Sequence, residues 1–363
     1  MRAAVLRAIN EPLDIEDVDI GRPLTGEVLI DVAAVGLCHS DLKFIEGAFA
    51  QSLPTVLGHE AAGIVSAVGT EVTHLRPGDH VLTALSVHCG KCRSCVDGRP
   101  QLCSGKEATR RSAGEESRLS WRGRPLSQGF DLSAFAEQML VHESAVVPIG
   151  RDIPFAVAAL LGCGVSTGLG AVFNTAGVEP GQSVAVVGCG GVGLSAIQAA
   201  RIAGAAQVIA VDRDEASLAL ARSLGATHTV GPTEGDAVAA VRRIAYGSGV
   251  DHAIEAVGSV ETVAEAFAMT CRGGAATVVG LIPSGQSVAI PSDQLFYERR
   301  LQGSVMGSND FLRDTPRYLQ MYRDGALVVD DMISNRIGLD DIDEGFDRMR
   351  AGVAGRTVIE FDV

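Results

Sequence analysis

The chain has 363 residues, 47% hydrophobic and 20% charged, which at roughly 150 residues per domain predicts about two folded domains and excludes a disordered or fibrous array. Lys and Arg total 30 against 44 Asp and Glu, a net charge of −14, which argues against a nucleic-acid or anionic-membrane partner. Met1 to Ile20 is studded with charge, so no signal peptide is expected, and no run approaches the ~18 apolar residues of a membrane span; the expected setting is cytoplasmic.

Residues 1 to about 150 read as mostly β. The β-branched runs Ala3 to Leu6, Val28 to Val35, Gly63 to Val68 and His80 to Thr83 are separated by Pro, Gly and Asp turns. Ser104 to Gln128 reads as a long loop, with Trp121 and Pro125 as its anchors. From about Val165 the pattern changes to short strands alternating with helices. The predicted strands are Ser183 to Val187, Gln207 to Val211, His228 to Val230, His252 to Ala256, Ala275 to Val279 and Leu301 to Val305, and the first helices are Val192 to Ala203 and Glu215 to Leu224. Such alternation predicts an α/β fold, a doubly wound parallel Rossmann sheet. A helix at Asp340 to Ala351 and a strand at Arg356 to Phe361 do not extend that pattern and are expected to rejoin the first domain.

The cysteines, eight in all, fall into groups. Cys89, Cys92 and Cys95 are spaced by two residues, and Cys103 follows after seven intervening residues. Four thiolates close a tetrahedral site with no open position, which is the chemistry of structural zinc. A redox pair needs only two cysteines and explains neither Cys95 nor Cys103. Cys38, His59 and Cys163 are dispersed, but together they supply three ligands, the number a catalytic zinc takes while keeping a position for water or substrate. Asp41 is the candidate carboxylate to orient His59. Cys189 and Cys271 are expected to be packing residues.

Gly188-Cys189-Gly190-Gly191-Val192-Gly193 fits G-x-G-x-x-G and follows an apolar strand and opens an Ala-rich helix, the context a dinucleotide site requires. The pyrophosphate is expected at the helix N-terminus, and Asp212, about 20 residues on, at the adenosine ribose. The acid favours NAD over NADP, although the adjacent Arg213 can cradle a 2′-phosphate.

Cys38-His39-Ser40-Asp41, the motif Gly58-His59-Glu60-x2-Gly63-x5-Gly69, the four-Cys lobe and the glycine loop together resemble the zinc-dependent medium-chain alcohol dehydrogenases over essentially the whole chain. The resemblance implies a mostly β, GroES-like catalytic domain at 1–164, a Rossmann NAD-binding domain at 165–304 and a return to the catalytic domain at 305–363. It implies two zinc ions per chain, the catalytic one on Cys38, His59 and Cys163 with Glu60 close by, and Ser40 as the hydroxyl that takes the alcohol proton. His39 and Arg356 resemble pyrophosphate contacts, and Leu85 and Leu281 resemble substrate-pocket positions. The implied reaction is reversible hydride transfer from a zinc-bound alkoxide to NAD, giving aldehyde or ketone. The long loop resembles that of the dimeric branch, so a homodimer through the last Rossmann strand is expected. Where many relatives carry a proton-relaying His, this chain has Lys43. Two other readings stand beside this one. One is the thiol-adduct formaldehyde dehydrogenase of the same family, whose anionic substrate calls for basic residues such as Arg110, Arg111 or Arg118. The other is a non-catalytic NAD-binding protein that kept the fold.

Overall fold

Apolar runs such as Val184-Ala185-Val186-Val187 have no polar side to turn to water, and in the structure both their faces are covered. The computed structural model describes residues 1–112 and 114–363. It divides into two units: a catalytic unit of Met1–Cys163, Asp310–Leu319 and Val329–Val363, and a nucleotide unit of Gly164–Asn309 and Gln320–Val328. The sequence-based boundary at 304/305 therefore shifts to 309/310, and residues 320–328 return to the nucleotide unit. There Gln198 and Val328 bond reciprocally, Nε2 to the carbonyl at 2.9 Å and N–H to Oε1 at 2.8 Å.

The nucleotide unit holds six parallel strands in the spatial order His228–Val230, Gln207–Val211, Ser183–Val187, Val250–Glu255, Thr270–Val278, Arg300–Gly303. The order reverses at the first strand in sequence, Ser183–Val187, which is where a doubly wound sheet opens a crevice for a ligand. Three of its helices start on side-chain caps, whereas the helix after the glycine loop has none. Asp214, Asp236 and Ser259 accept the N–H of Ser217, Ala239 and Thr262 respectively. The last strand ends at Gly303, not Val305 as the sequence suggested, and the fifth begins at Thr270, five residues before Ala275.

In the catalytic unit the long strand Glu27–Gly36 is central. It pairs with Glu60–Val68, Gln138–His142 and Arg356–Glu360, all antiparallel. The strand from the far end of the sequence thus lies beside Gly36, with Val358 opposite it. This pairing delivers Arg356 to the neighbourhood of Leu37 and Glu60. The core is the apolar side of this sheet with Ala3–Leu6, Phe135 and Phe346.

The predicted loop at 104–128 is only partly irregular. Leu119–Trp121 and Arg124–Pro125 form a small hairpin, and Leu119–Trp121 also pairs with Asp19–Ile20. Pro125 is exposed and anchors nothing, while Trp121 donates from Nε1 to Glu16 at 3.3 Å. The stronger anchors are arginines. Arg118 Nε and Arg111 Nη2 donate to the two oxygens of buried Glu27, at 2.7 and 2.6 Å. Burial alone pushes the Glu27 carboxyl up. The hydrogen bonds from Arg111, the Leu24 N–H and Arg118 outweigh it and hold the group below the usual carboxylate range.

Candidate active site and nucleotide loop

The dispersed ligands meet because three turns converge on the end of the Glu60–Val68 strand. Cys38 caps the helix His39–Ile45, His59 and Glu60 enter the strand, and Cys163 follows the helix Phe155–Leu161. Ligand atoms of Cys38, His59, Glu60 and Cys163 all lie within 4.8 Å of one another, and all four residues are buried. Gly58 has φ of +90°, and a Cβ there would lie 2.6 Å from the Phe135 nitrogen, so only glycine lets the chain turn into the site.

Asp41 fixes the His59 ring. One carboxylate oxygen accepts the Gly58 N–H at 3.0 Å and His59 Nδ1 at 3.1 Å. Nδ1 therefore carries the proton and Nε2 presents a lone pair. Nε2 is buried and has no hydrogen-bond partner. An orphaned imidazole nitrogen facing two thiols fits a cation better than any neutral occupant. Contact with Cys163 pulls the Cys38 thiol well below its ordinary pKa, helped by His59 and Arg356, so thiolate forms readily. Ser40 Oγ stands 3.7 Å from Cys38 Sγ.

Arg356, expected at the pyrophosphate, is tied into the cluster through one end of its guanidinium. It is 8% exposed, and one of its terminal nitrogens donates to the Leu37 carbonyl at 2.8 Å and to Glu60. Burial pushes the Glu60 carboxyl up to about 7 against the pull of this guanidinium. His39 is exposed on the first turn of its helix.

Cys89, Cys92, Cys95 and Cys103 form a second cluster within the same limit. Sulfur–sulfur separations of 3.5, 3.8 and 3.5 Å (Cys92–Cys95, Cys92–Cys103, Cys89–Cys103) approach the edge of ~3.8 Å that follows from Zn–S bonds of ~2.3 Å in a tetrahedron. The N–H groups of Cys89 and Gly105 point at Cys103 Sγ, both at 3.3 Å, and that of Cys92 at Cys89 Sγ, at 3.4 Å. Such donors stabilise thiolates, and the cluster fits a structural zinc.

In the nucleotide unit, Gly188 turns with φ of +92° after the first strand of the sheet. A Cβ on Gly193 would meet the Gly188 carbonyl oxygen at 1.8 Å, whereas one on Gly190 would enter open space. Gly193 thus serves packing, and Gly190 leaves room for a ligand to approach backbone. Gly191 and Val192 begin the helix Gly191–Ile202, whose free N–H groups suit a pyrophosphate. Asp212 lies one residue past its strand and accepts from the Cys189 and Asp214 N–H groups, at 2.6 and 3.0 Å. Arg213 is exposed. Gly193→Ala is expected to separate loop from helix and weaken NAD binding at least about tenfold, read by NADH fluorescence titration. Gly190→Ser, which meets no protein atom, should fold normally and lose only nucleotide affinity.

Aromatic residues that the sequence reading did not single out stand beside the cluster. The Phe130 ring lies 4.3 Å from that of His59 and 4.9 Å from Phe44, which in turn lies 5.5 Å from Phe49. Phe130, Asp131 and Ser133 all have positive φ, at 58°, 61° and 62°. Nothing in the local sequence announces this strained turn, because only the fold brings it to His59. Leu85 is half-buried against the catalytic core, and Leu281 belongs to the nucleotide unit and is 43% exposed. Arg110, Arg111 and Arg118 are paired with Asp131, Glu27 and Glu27 respectively.

Residues 25–151 match the alcohol dehydrogenase GroES-like domain and residues 191–322 the zinc-binding dehydrogenase domain. The S-(hydroxymethyl)glutathione dehydrogenase of Paracoccus denitrificans is 35% identical over 372 aligned residues, covering 99% of each chain. The chain belongs to the zinc-dependent alcohol dehydrogenase family. The structure of this dehydrogenase is similar to that of benzyl alcohol dehydrogenase from Acinetobacter calcoaceticus, with a TM-score of 0.94, 32% identity and 99% of each chain covered. It is also similar to a zinc-binding dehydrogenase of Sinorhizobium meliloti 1021 bound to NADP, with a TM-score of 0.83, 29% identity and 99% of each chain covered. The dehydrogenase is thus an oxidoreductase that uses zinc and a nicotinamide nucleotide. No single helix among its described residues is long and apolar enough to cross a membrane.

Proposed function

We propose that the dehydrogenase oxidises alcohols with an apolar or aromatic body to the aldehyde or ketone, reversibly and with NAD. The observation that carries this reading is the buried Cys38, His59, Glu60 and Cys163 cluster, with the Phe130 ring against His59. Cys38, His59 and Cys163 are the residues that would hold the catalytic zinc, a Lewis acid that favours loss of the alcohol proton, and the nicotinamide supplies the hydride acceptor. Asp41 keeps the His59 ring in one tautomer and one orientation. Ser40, whose Oγ lies 3.7 Å from Cys38 Sγ, would take the alcohol proton, and Lys43 stands about one helical turn further along. Phe130 and Phe44 offer an apolar wall, which suits an uncharged alcohol and keeps water out.

The thiol-adduct reading draws support from the Paracoccus relative, but the three loop arginines suggested for it are already paired with carboxylates. A spectrophotometric screen of primary, secondary, aromatic and thiol-adduct alcohols tests the assignment. Higher kcat/KM for benzylic alcohols than for the glutathione adduct supports it, and the reverse ranking overturns it.

NAD is the proposed nucleotide, because Asp212, past the strand that follows the glycine loop, is the carboxylate that would accept from the adenosine ribose and repel a 2′-phosphate. Asp212→Ser is expected to raise the NADP-to-NAD ratio of kcat/KM at least about tenfold, since one charge repulsion of ~1.4 kcal/mol is removed. A homodimer is the proposed assembly. The edge strand Arg300–Gly303 pairs only with Thr270–Val278 among the described residues, and the apolar side chains of Phe296, Leu301 and Val305 near it are exposed. The proposed compartment is the cytoplasm, where both thiol clusters would stay reduced.

A further inference from the structure

A cavity of about 460 Å³ opens in the catalytic unit between residues 22–25 and Glu27, Thr70, residues 108–111, Glu115, Arg118 and His142. Its size falls within the range of small-molecule sites, and its lining is unusual for a chain of net charge −14. Arg22, Arg110, Arg111 and Arg118 line it, against the carboxylates of Glu27 and Glu115. Glu27 is enclosed by two guanidiniums and can neutralise only one, and Glu115 is held by the Ser112 N–H at 2.6 Å. Arg110 is paired with Asp131, so the four guanidiniums of the wall meet three carboxylates, and the remaining positive charge rests partly on the buried side chains of Arg111 and Arg118 that share Glu27, where solvent screens it least.

Two donors are free to meet a ligand. The exposed Arg22 guanidinium has no partner among the described residues, while its backbone carbonyl is fixed by Arg111 at 2.7 Å. His142 Nδ1 accepts the Ser144 N–H at 3.2 Å, so in the neutral ring the proton sits on Nε2, which has no partner among the described residues. Fork-shaped guanidinium donors and a separate ring N–H suit a molecule with carboxylate groups at two positions.

We propose that this cavity is a binding site for a small organic dicarboxylate, held by Arg22 and His142 over the Arg111–Glu27–Arg118 floor. None of the residues that would hold the catalytic zinc or the nucleotide lines it. Isothermal titration of the zinc-loaded, full-length protein with succinate, at fixed ionic strength and with NAD at saturation, tests it. The expected result is saturable binding of one succinate per chain, at least about tenfold tighter than acetate or inorganic phosphate. Arg22→Gln is expected to weaken it about tenfold or more, and His142→Phe by a smaller factor, because charge-assisted bonds are the stronger ones. Arg22→Gln lies on an exposed side chain and should leave alcohol oxidation unchanged. No saturable binding, phosphate binding tighter than succinate, or equal affinity in Arg22→Gln each overturns the proposal.

Discussion

His59→Gln is expected to lower kcat/KM for alcohol oxidation by at least about 10³-fold, or ~4 kcal/mol at 1.4 kcal/mol per decade. Zinc content should fall from two ions per chain to one, because the four-cysteine cluster is untouched. The measurement is metal analysis by plasma mass spectrometry beside steady-state kinetics. Asp41→Asn separates orientation from ligation. It keeps an oxygen for the Gly58 N–H and His59 Nδ1 but removes the charge, so a loss of ten- to a hundred-fold in activity or zinc affinity is expected. Equal zinc content and activity in His59→Gln and the parent would remove the cluster from the chemistry.

The second large effect concerns stability. Glu27→Gln leaves the guanidiniums of Arg111 and Arg118 buried without their shared counter-charge, which is expected to cost the catalytic unit about 3–5 kcal/mol. Urea unfolding followed by Trp121 fluorescence reads it, since Trp121 lies in the hairpin that Arg118 precedes. The same group sets an acid limit. Its carboxyl is depressed in the folded state, so its contribution is complete above the ordinary Glu value near ~4.3 and is lost as pH falls through the lower folded value. The parent should therefore lose stability more steeply than Glu27→Gln below about pH 4.

Much of the architecture was legible in the sequence because its signals are local. The run Ser183–Val187, the glycine loop and the helix after it are contiguous, and each carries its own steric reason. The thiol spacing from Cys89 to Cys103 also encodes its own closure. The segment 104–128 was misjudged because its hairpin owes its place to long-range partners, Glu27 for Arg111 and Arg118, and Glu16 for Trp121. The partners of Arg356, Leu37 and Glu60, lie about 300 residues away in sequence and are set by strand pairing, so no local signal announces them. Phe130 could not be found at all, since a ring in a positive-φ turn leaves no periodic trace.

The pairing of Arg356–Glu360 with Glu27–Gly36 has a consequence for biosynthesis. The nucleotide unit's strands are complete by Gly303, but its closing segment, Gln320–Val328, comes after Asp310–Leu319 of the catalytic unit, so that unit is complete only once Val328 can bond Gln198. The four-cysteine cluster, closed within fifteen residues from Cys89 to Cys103, can capture its metal early in synthesis. The buried Glu60 carboxyl, by contrast, gains its Arg356 partner only once residue 356 has emerged and its strand has docked. The charge environment of the buried cluster is therefore completed from the far side of the sequence, by the strand Arg356–Glu360.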